Sequence, residues 1–189
     1  MTASVILNII IFAGVIGAVL WALPKAEKKS VVFRYFTVLS NLLCAAASAA
    51  VAVLRLSGTL PFWASVFKYV GTCAVTVTLL TVFLFLAPSL GSLTELLKAQ
   101  DFLLHFLCPV LAIISYVFFD RTEMSFPFVL LGTAPVILYG LYYLYRVVFA
   151  PQNRRWEDFY TFNRGGKWPV SFAAMVLAAF IISVLLRAA

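Results

Sequence analysis

Apolar residues run along this chain in six continuous stretches, separated by short segments that hold most of the prolines and charges. None alternates polar and apolar positions as a membrane-spanning β-strand does. Each approaches or exceeds the roughly 20 helical residues that cross a hydrocarbon core of about 30 Å. The pattern predicts an all-α, polytopic membrane protein of six transmembrane helices in one bundle. Residues 1–189 form a single domain, with spans at 4–23, 33–54, 62–87 (or from 67), 101–119, 126–149 and 168–186. Pro24, Pro61, Pro88, Pro127, Pro151 and Pro169 lie at or near the ends, where proline costs a helix least. Pro109 and Pro135 fall inside spans and are expected to kink them. Ser92-Leu-Thr-Glu95 reads as a capping box that starts the fourth helix before it enters the membrane.

Composition agrees. With 64% hydrophobic and 11% charged residues and a mean hydropathy of +1.05, a soluble fold of this length could not hide its apolar surface. The first run has no basic leader and exceeds the usual 7 to 15 apolar residues or so of a secretory signal, so it reads as a true span. Ten of the 14 basic residues, Lys25, Lys28, Lys29, Arg34, Lys98, Arg146, Arg154, Arg155, Arg164 and Lys167, adjoin the loops after spans one, three and five; Arg55, Lys68, Arg121 and Arg187 lie on the other side. The positive-inside rule puts those three loops in the cytoplasm and both termini outside. The net charge of +7 is thus mainly a topology signal. It flanks spans and does not line a groove, which argues against nucleic acid as a partner. Cys44, Cys73 and Cys108 sit in apolar runs without metal-like spacing. With one histidine and seven carboxylates, a metal site is not expected, and no motif points to a cofactor.

The polar groups inside the spans carry the chemistry. His105 is the only histidine, and an ionisable side chain within a span is costly and marks a candidate site. Counted from the predicted helix starts, Thr37 and His105 each lie about four residues below the same interface, roughly 6 Å at 1.5 Å per residue. They meet if spans two and four touch. Thr37, Ser40, Asn41, Cys44 and Ser48 share one helical face, and the Ala-rich stretch 45–52 lets another helix approach closely. Asp101, one turn before His105, is placed to orient the imidazole. Pro109 leaves the His105 carbonyl without its usual donor. A hydroxyl nucleophile needs a base within about 2.6 to 3.2 Å and an oxyanion stabiliser opposite. Thr37 and His105 fill the first two roles, with Asn41 or Ser40 as the oxyanion donor. Structural explanations stand beside these. Intramembrane hydroxyls often bond their own i−4 carbonyl, histidine can join two helices, and Asp101 suits the headgroup layer.

The segments Phe33-Arg-Tyr-Phe-Thr37-Val-Leu-Ser40-Asn41-Leu-Leu, Val75-Thr-Val-Thr-Leu-Leu, Leu103-Leu-His105-Phe-Leu-Cys-Pro109 and Asp158-Phe-Tyr-Thr-Phe-Asn-Arg-Gly-Gly resemble the bacterial branch of the androgen-induced-protein family of six-span membrane proteins. The likeness covers most of the chain, although each motif is short. It implies a threonine hydrolase with Thr37 and His105 as catalytic pair, a lipid or fatty-acyl ester as substrate (in animal members, fatty acid esters of hydroxy fatty acids), and residence in a bacterial inner membrane. The animal branch has a second histidine and a different spacing to the following proline, so the substrate transfers least.

Two other function classes compete with an esterase. One is a transporter or lipid-binding protein using His105 and Asp101 as a proton or solute site. The other is an acyltransferase with Cys44 or Cys108 as nucleophile. Loop 151–167 mixes Arg154, Arg155, Arg164 and Lys167 with Trp156, Phe159, Tyr160 and Phe162, as an interfacial anchor or a gate does. Tyr139, Tyr142, Tyr143 and Tyr145 read as an interfacial belt. Thr72, Thr76, Thr78 and Thr81 are weaker site candidates. Lys68 and Arg121 are expected to snorkel toward the far interface.

Overall fold

The computed structural model describes residues 2–90, 98 and 100–189; the Ser92–Glu95 capping box lies outside the described residues. The described chain is 81% helical with no strands, and its six apolar helices pack into one bundle. We number them α1 (Ala3–Lys25), α2 (Phe36–Leu56), α3 (Phe62–Leu84), α4 (Gln100–Asp120), α5 (Phe128–Phe149) and α6 (Trp168–Ala188). Large apolar side chains are exposed on all six, among them Leu20, Val53, Leu84, Phe118, Leu138 and Val170. Six such helices with lipid-like outer surfaces make this an integral membrane protein, because a helix pairs the backbone groups of its interior within itself and its apolar exterior needs an apolar solvent.

The centre of the bundle is α3, which packs against α2, α4, α5 and α6, while α1 lies against α2 and α4. Burial follows this arrangement, with 56% of the most apolar window of α3 enclosed against 22% for the peripheral α6. Small residues set the α2/α3 contact. Ala45, Ala47 and Ala52 are buried, and a Cβ placed on Gly71 would come within 2.9 Å of the Cys44 Cα.

Five-residue π-helical segments occur at Val82–Leu86 at the end of α3, at Leu103–Leu107 and Tyr116–Asp120 in α4, and at Tyr145–Phe149 in α5. The one before Pro109 has a local cause. There the Cys108 N–H bonds the Leu103 carbonyl, five residues back. In that register the N–H that proline lacks would have served Leu104. The Leu104 carbonyl is therefore left without a helical donor in that register. Pro135 lies within a helical stretch, Phe128–Leu144, that runs on through it.

Lys68 corrects a sequence expectation. Instead of snorkelling, it is completely buried and donates to Asn8 Oδ1 at 2.7 Å and Ser48 Oγ at 2.8 Å. Asn8 in turn donates to Asp120 Oδ2 at 2.7 Å, and Ser4 and Ser115 donate to the same carboxylate at 2.5 and 2.6 Å. Arg55 completes the cluster at the bundle surface, 3.8 Å from Asp120. One lysine in hydrocarbon is prohibitive; three other helices supply the partners that make it tenable.

Candidate functional site

At the end of the bundle that carries the basic loops, α2 begins at Phe36, three residues later than its hydropathy suggests. Tyr139 donates its hydroxyl to the Arg34 carbonyl at 2.7 Å, which turns that carbonyl out of any helical register, and Tyr35 is extended. Thr37 is therefore in the first turn of α2 and shallower than its predicted depth. His105 lies in the π-helical segment of α4. Segment Leu103–Leu107 touches α2, so the condition for the two residues to meet is fulfilled.

Thr37 and His105 both line one cavity of about 290 Å³, walled also by Tyr35, Val38, Leu86, Asp101, Leu104, Phe159 and Tyr160. Thr37, His105 and Asp101 are each partly exposed, so the cavity is open enough to admit a reactant. Asp101 lies within the electrostatic reach of His105 and of Lys25.

Asn41 and Ser40, expected as oxyanion donors, are not among the residues that wall this cavity. Asn41 gives its two amide protons to the Thr37 carbonyl at 2.8 Å and the Leu104 carbonyl at 2.9 Å, the second being the acceptor stranded by Pro109. Ser40 bonds the Thr37 carbonyl at 3.1 Å and the Thr78 hydroxyl at 2.8 Å. Both are buried and hold helices together. Thr72 and Thr76 bond back to carbonyls four residues earlier, as isolated hydroxyls in membrane helices commonly do.

The residue that sequence reasoning passed over is Tyr160. Its hydroxyl accepts the Phe36 N–H at 3.1 Å, a donor at the start of α2 that no capping side chain satisfies, and it lies close to Thr37 on the wall of the same cavity. The loop holding it is folded onto the bundle. Asp158 accepts from the Tyr143 hydroxyl at 3.0 Å and from the Phe162 and Asn163 amides at 2.8 and 2.7 Å. Tyr143 is buried among Trp156, Phe159, Tyr160 and Phe162, so of the expected tyrosine belt only Tyr142 and Tyr145 stay exposed. Between Tyr160 and Phe162, Thr161 is held at φ 53°, a left-handed conformation that strains a β-branched residue. Asp158 and the turn residues Asn163-Arg-Gly-Gly166 signal a structured loop, but nothing in them tells which part of the bundle it meets.

Cys44 and Cys108 are 1% and 2% exposed and do not line the cavity. Among the described residues no three His, Cys, Asp or Glu side chains gather closely enough to hold a metal ion. Compared with known proteins, the chain matches no family model, no curated protein and no solved structure.

Proposed function

We propose that this protein is an intramembrane hydrolase of fatty-acyl esters, with Thr37 as nucleophile and His105 as base. The supporting observation is that the two side chains, from helices far apart in sequence, wall one half-open cavity together with Asp101. A threonine hydroxyl is a poor nucleophile unless a neighbouring base removes its proton as it attacks. His105 takes that proton, an acyl-threonine forms, and the protonated imidazole returns the proton to the leaving alcohol. Water then repeats the sequence, releasing the acid and restoring Thr37. Asp101 steadies the ring in the tautomer that presents a lone pair. A cavity of about 290 Å³ is at the lower end for drug-sized ligands, so it suits the ester end of a lipid whose chains stay in the bilayer. The resemblance to the androgen-induced-protein family favours an ester of a hydroxy fatty acid and a bacterial inner membrane, with the basic loops in the cytoplasm.

The test is labelling of the detergent-solubilised chain by a fluorophosphonate. Wild type is expected to react, Thr37→Ala and His105→Ala to lose the label, and Cys44→Ala and Cys108→Ala to keep it. Labelling that survives Thr37→Ala contradicts the threonine mechanism, and loss with a cysteine favours the acyltransferase reading.

A second reading, proton-coupled transport, draws on the Lys68–Asn8–Asp120 network, since intramembrane charges commonly mark ion and proton paths. Proteoliposomes holding a pH-sensitive dye distinguish it: transport requires proton flux that Lys68→Met abolishes, whereas the hydrolase reading expects no flux.

A further inference from the structure

With Asn41 and Ser40 committed to helix contacts, the oxyanion donor that an acyl-transfer reaction at Thr37 and His105 requires is to be sought elsewhere on the cavity wall. We propose that Tyr160, brought to the cavity by the loop between α5 and α6, is that donor and stabilises the oxyanion formed when Thr37 attacks a bound ester. The inference rests on the hydrolase reading above and names a catalytic residue within it.

Hydrogen-bond bookkeeping at the phenol points this way. Tyr160 Oη accepts the Phe36 N–H at 3.1 Å. The neighbouring Tyr139 spends its only proton on the Arg34 carbonyl at 2.7 Å and so has none to offer Tyr160. Toward Tyr160 it can only accept, so the Tyr160 proton has the Tyr139 oxygen and the Thr37 hydroxyl within reach, at the edge of the cavity that Tyr160 and Thr37 both line, and a developing oxyanion there is a stronger acceptor than either. Burial pushes the phenol up to about 12, which keeps it protonated at neutral pH. The Phe36 N–H behind the oxygen polarises the O–H and adds the positive end of a 21-residue helix. With its oxygen fixed by a backbone bond, the donor needs only a turn of its O–H when charge appears, and a preorganised donor of this kind acts strongly.

The loop is built to hold this geometry. Asp158 gathers Tyr143 and two backbone amides around the turn, Tyr35 and Phe159 pack with ring centroids 4.7 Å apart, and the strained Thr161 directly follows the phenol. In the reaction, Thr37 Oγ1 bonds to the ester carbon as its proton passes to His105. The carbonyl π pair moves onto oxygen and is met by the Tyr160 O–H, which donates a hydrogen bond and keeps its proton. Collapse of the intermediate re-forms the carbonyl and expels the alkoxide, which takes the proton from His105.

Hydrolysis of 4-nitrophenyl acyl esters by the purified full chain in detergent tests this. Tyr160→Phe is expected to lower kcat about 100-fold while KM stays within about threefold and the melting temperature is kept; kcat within about threefold of wild type overturns the role. Should the phenylalanine variant fold poorly, Tyr160→3-fluorotyrosine keeps the O–H and makes it a stronger donor. It is expected to match or exceed wild-type kcat, and a tenfold fall or more overturns the proposal. Wild-type activity that is absent, or that survives Thr37→Ala, instead overturns the hydrolase reading on which the role of Tyr160 depends.

Discussion

Asn41 gives both amide protons to carbonyls, and one of those acceptors, Leu104, has lost its helical donor to the π register and Pro109. Asn41→Leu leaves that carbonyl unsatisfied in the bundle and is expected to destabilise the protein by about 1–3 kcal/mol, measured as a shift in detergent melting. Pro109→Ala restores an N–H where Leu104 needs one, so the pair should be non-additive, with the double variant recovering part of the Asn41→Leu loss; strictly additive effects contradict the assignment of the stranded carbonyl. Thr161 offers a test of opposite sign. Thr161→Gly removes the left-handed penalty, about 1–3 kcal/mol, against about 1 kcal/mol for the added freedom of the unfolded chain, and the expected net effect is a small gain in melting temperature. A clear loss would show that the threonine side chain has a structural role that the strain argument omits. At this scale the sequence was partly readable. The polar face of Asn41, Ser40 and Thr37 was visible, but their partners on α3 and α4 were not, since periodicity gives the face of a helix and leaves unstated what stands opposite.

The pairing of α2 and α3 depends on the absence of a side chain at Gly71. Gly71→Ala forces its new Cβ to within 2.9 Å of backbone at Cys44, which cannot yield as a flexible side chain does, and overpacking of this kind costs about 1–3 kcal/mol. Gly17, where an added Cβ would meet nothing within 4 Å, is the matched control: Gly17→Ala should be neutral or stabilising by up to about 1 kcal/mol. Equal effects of the two changes would contradict the close approach. Helix existence was legible because apolar runs of this length have one solution in lipid. The start of α2 was not, because it is set by the Tyr139 bond to Arg34 from a helix about a hundred residues later. The π-helical segments escaped too, as register changes leave no mark on hydropathy.

Across the whole molecule, polar chemistry divides between two regions. One holds the cavity with Thr37, His105, Asp101 and Tyr160; the other is the sealed cluster in which Lys68, Asn8, Ser48, Ser4, Ser115 and Asp120 join α1, α2, α3 and α4. Removing one member of a buried charged network strands the rest, so Lys68→Met and Asp120→Asn are each expected to cost about 3–5 kcal/mol, and the double change less than the sum, measured by melting. Two costs that simply add would mean that the groups act separately. Hydropathy suggests snorkelling for a lone lysine because it counts neighbours along the chain, while the partners of Lys68 lie on three other helices. Loop 151–167 misleads for the same reason, since its aromatic and basic residues suit an interfacial belt while its fold delivers Tyr160 to the start of α2. The central claim is that Thr37 is the group acylated during turnover, and the direct measurement is peptide mass mapping after brief exposure to a 4-nitrophenyl acyl ester. The account predicts one acyl group on the peptide containing Thr37, absent when His105 is changed to Ala; an acyl group on Cys44 or Cys108, or none on any residue of an actively hydrolysing protein, would contradict it.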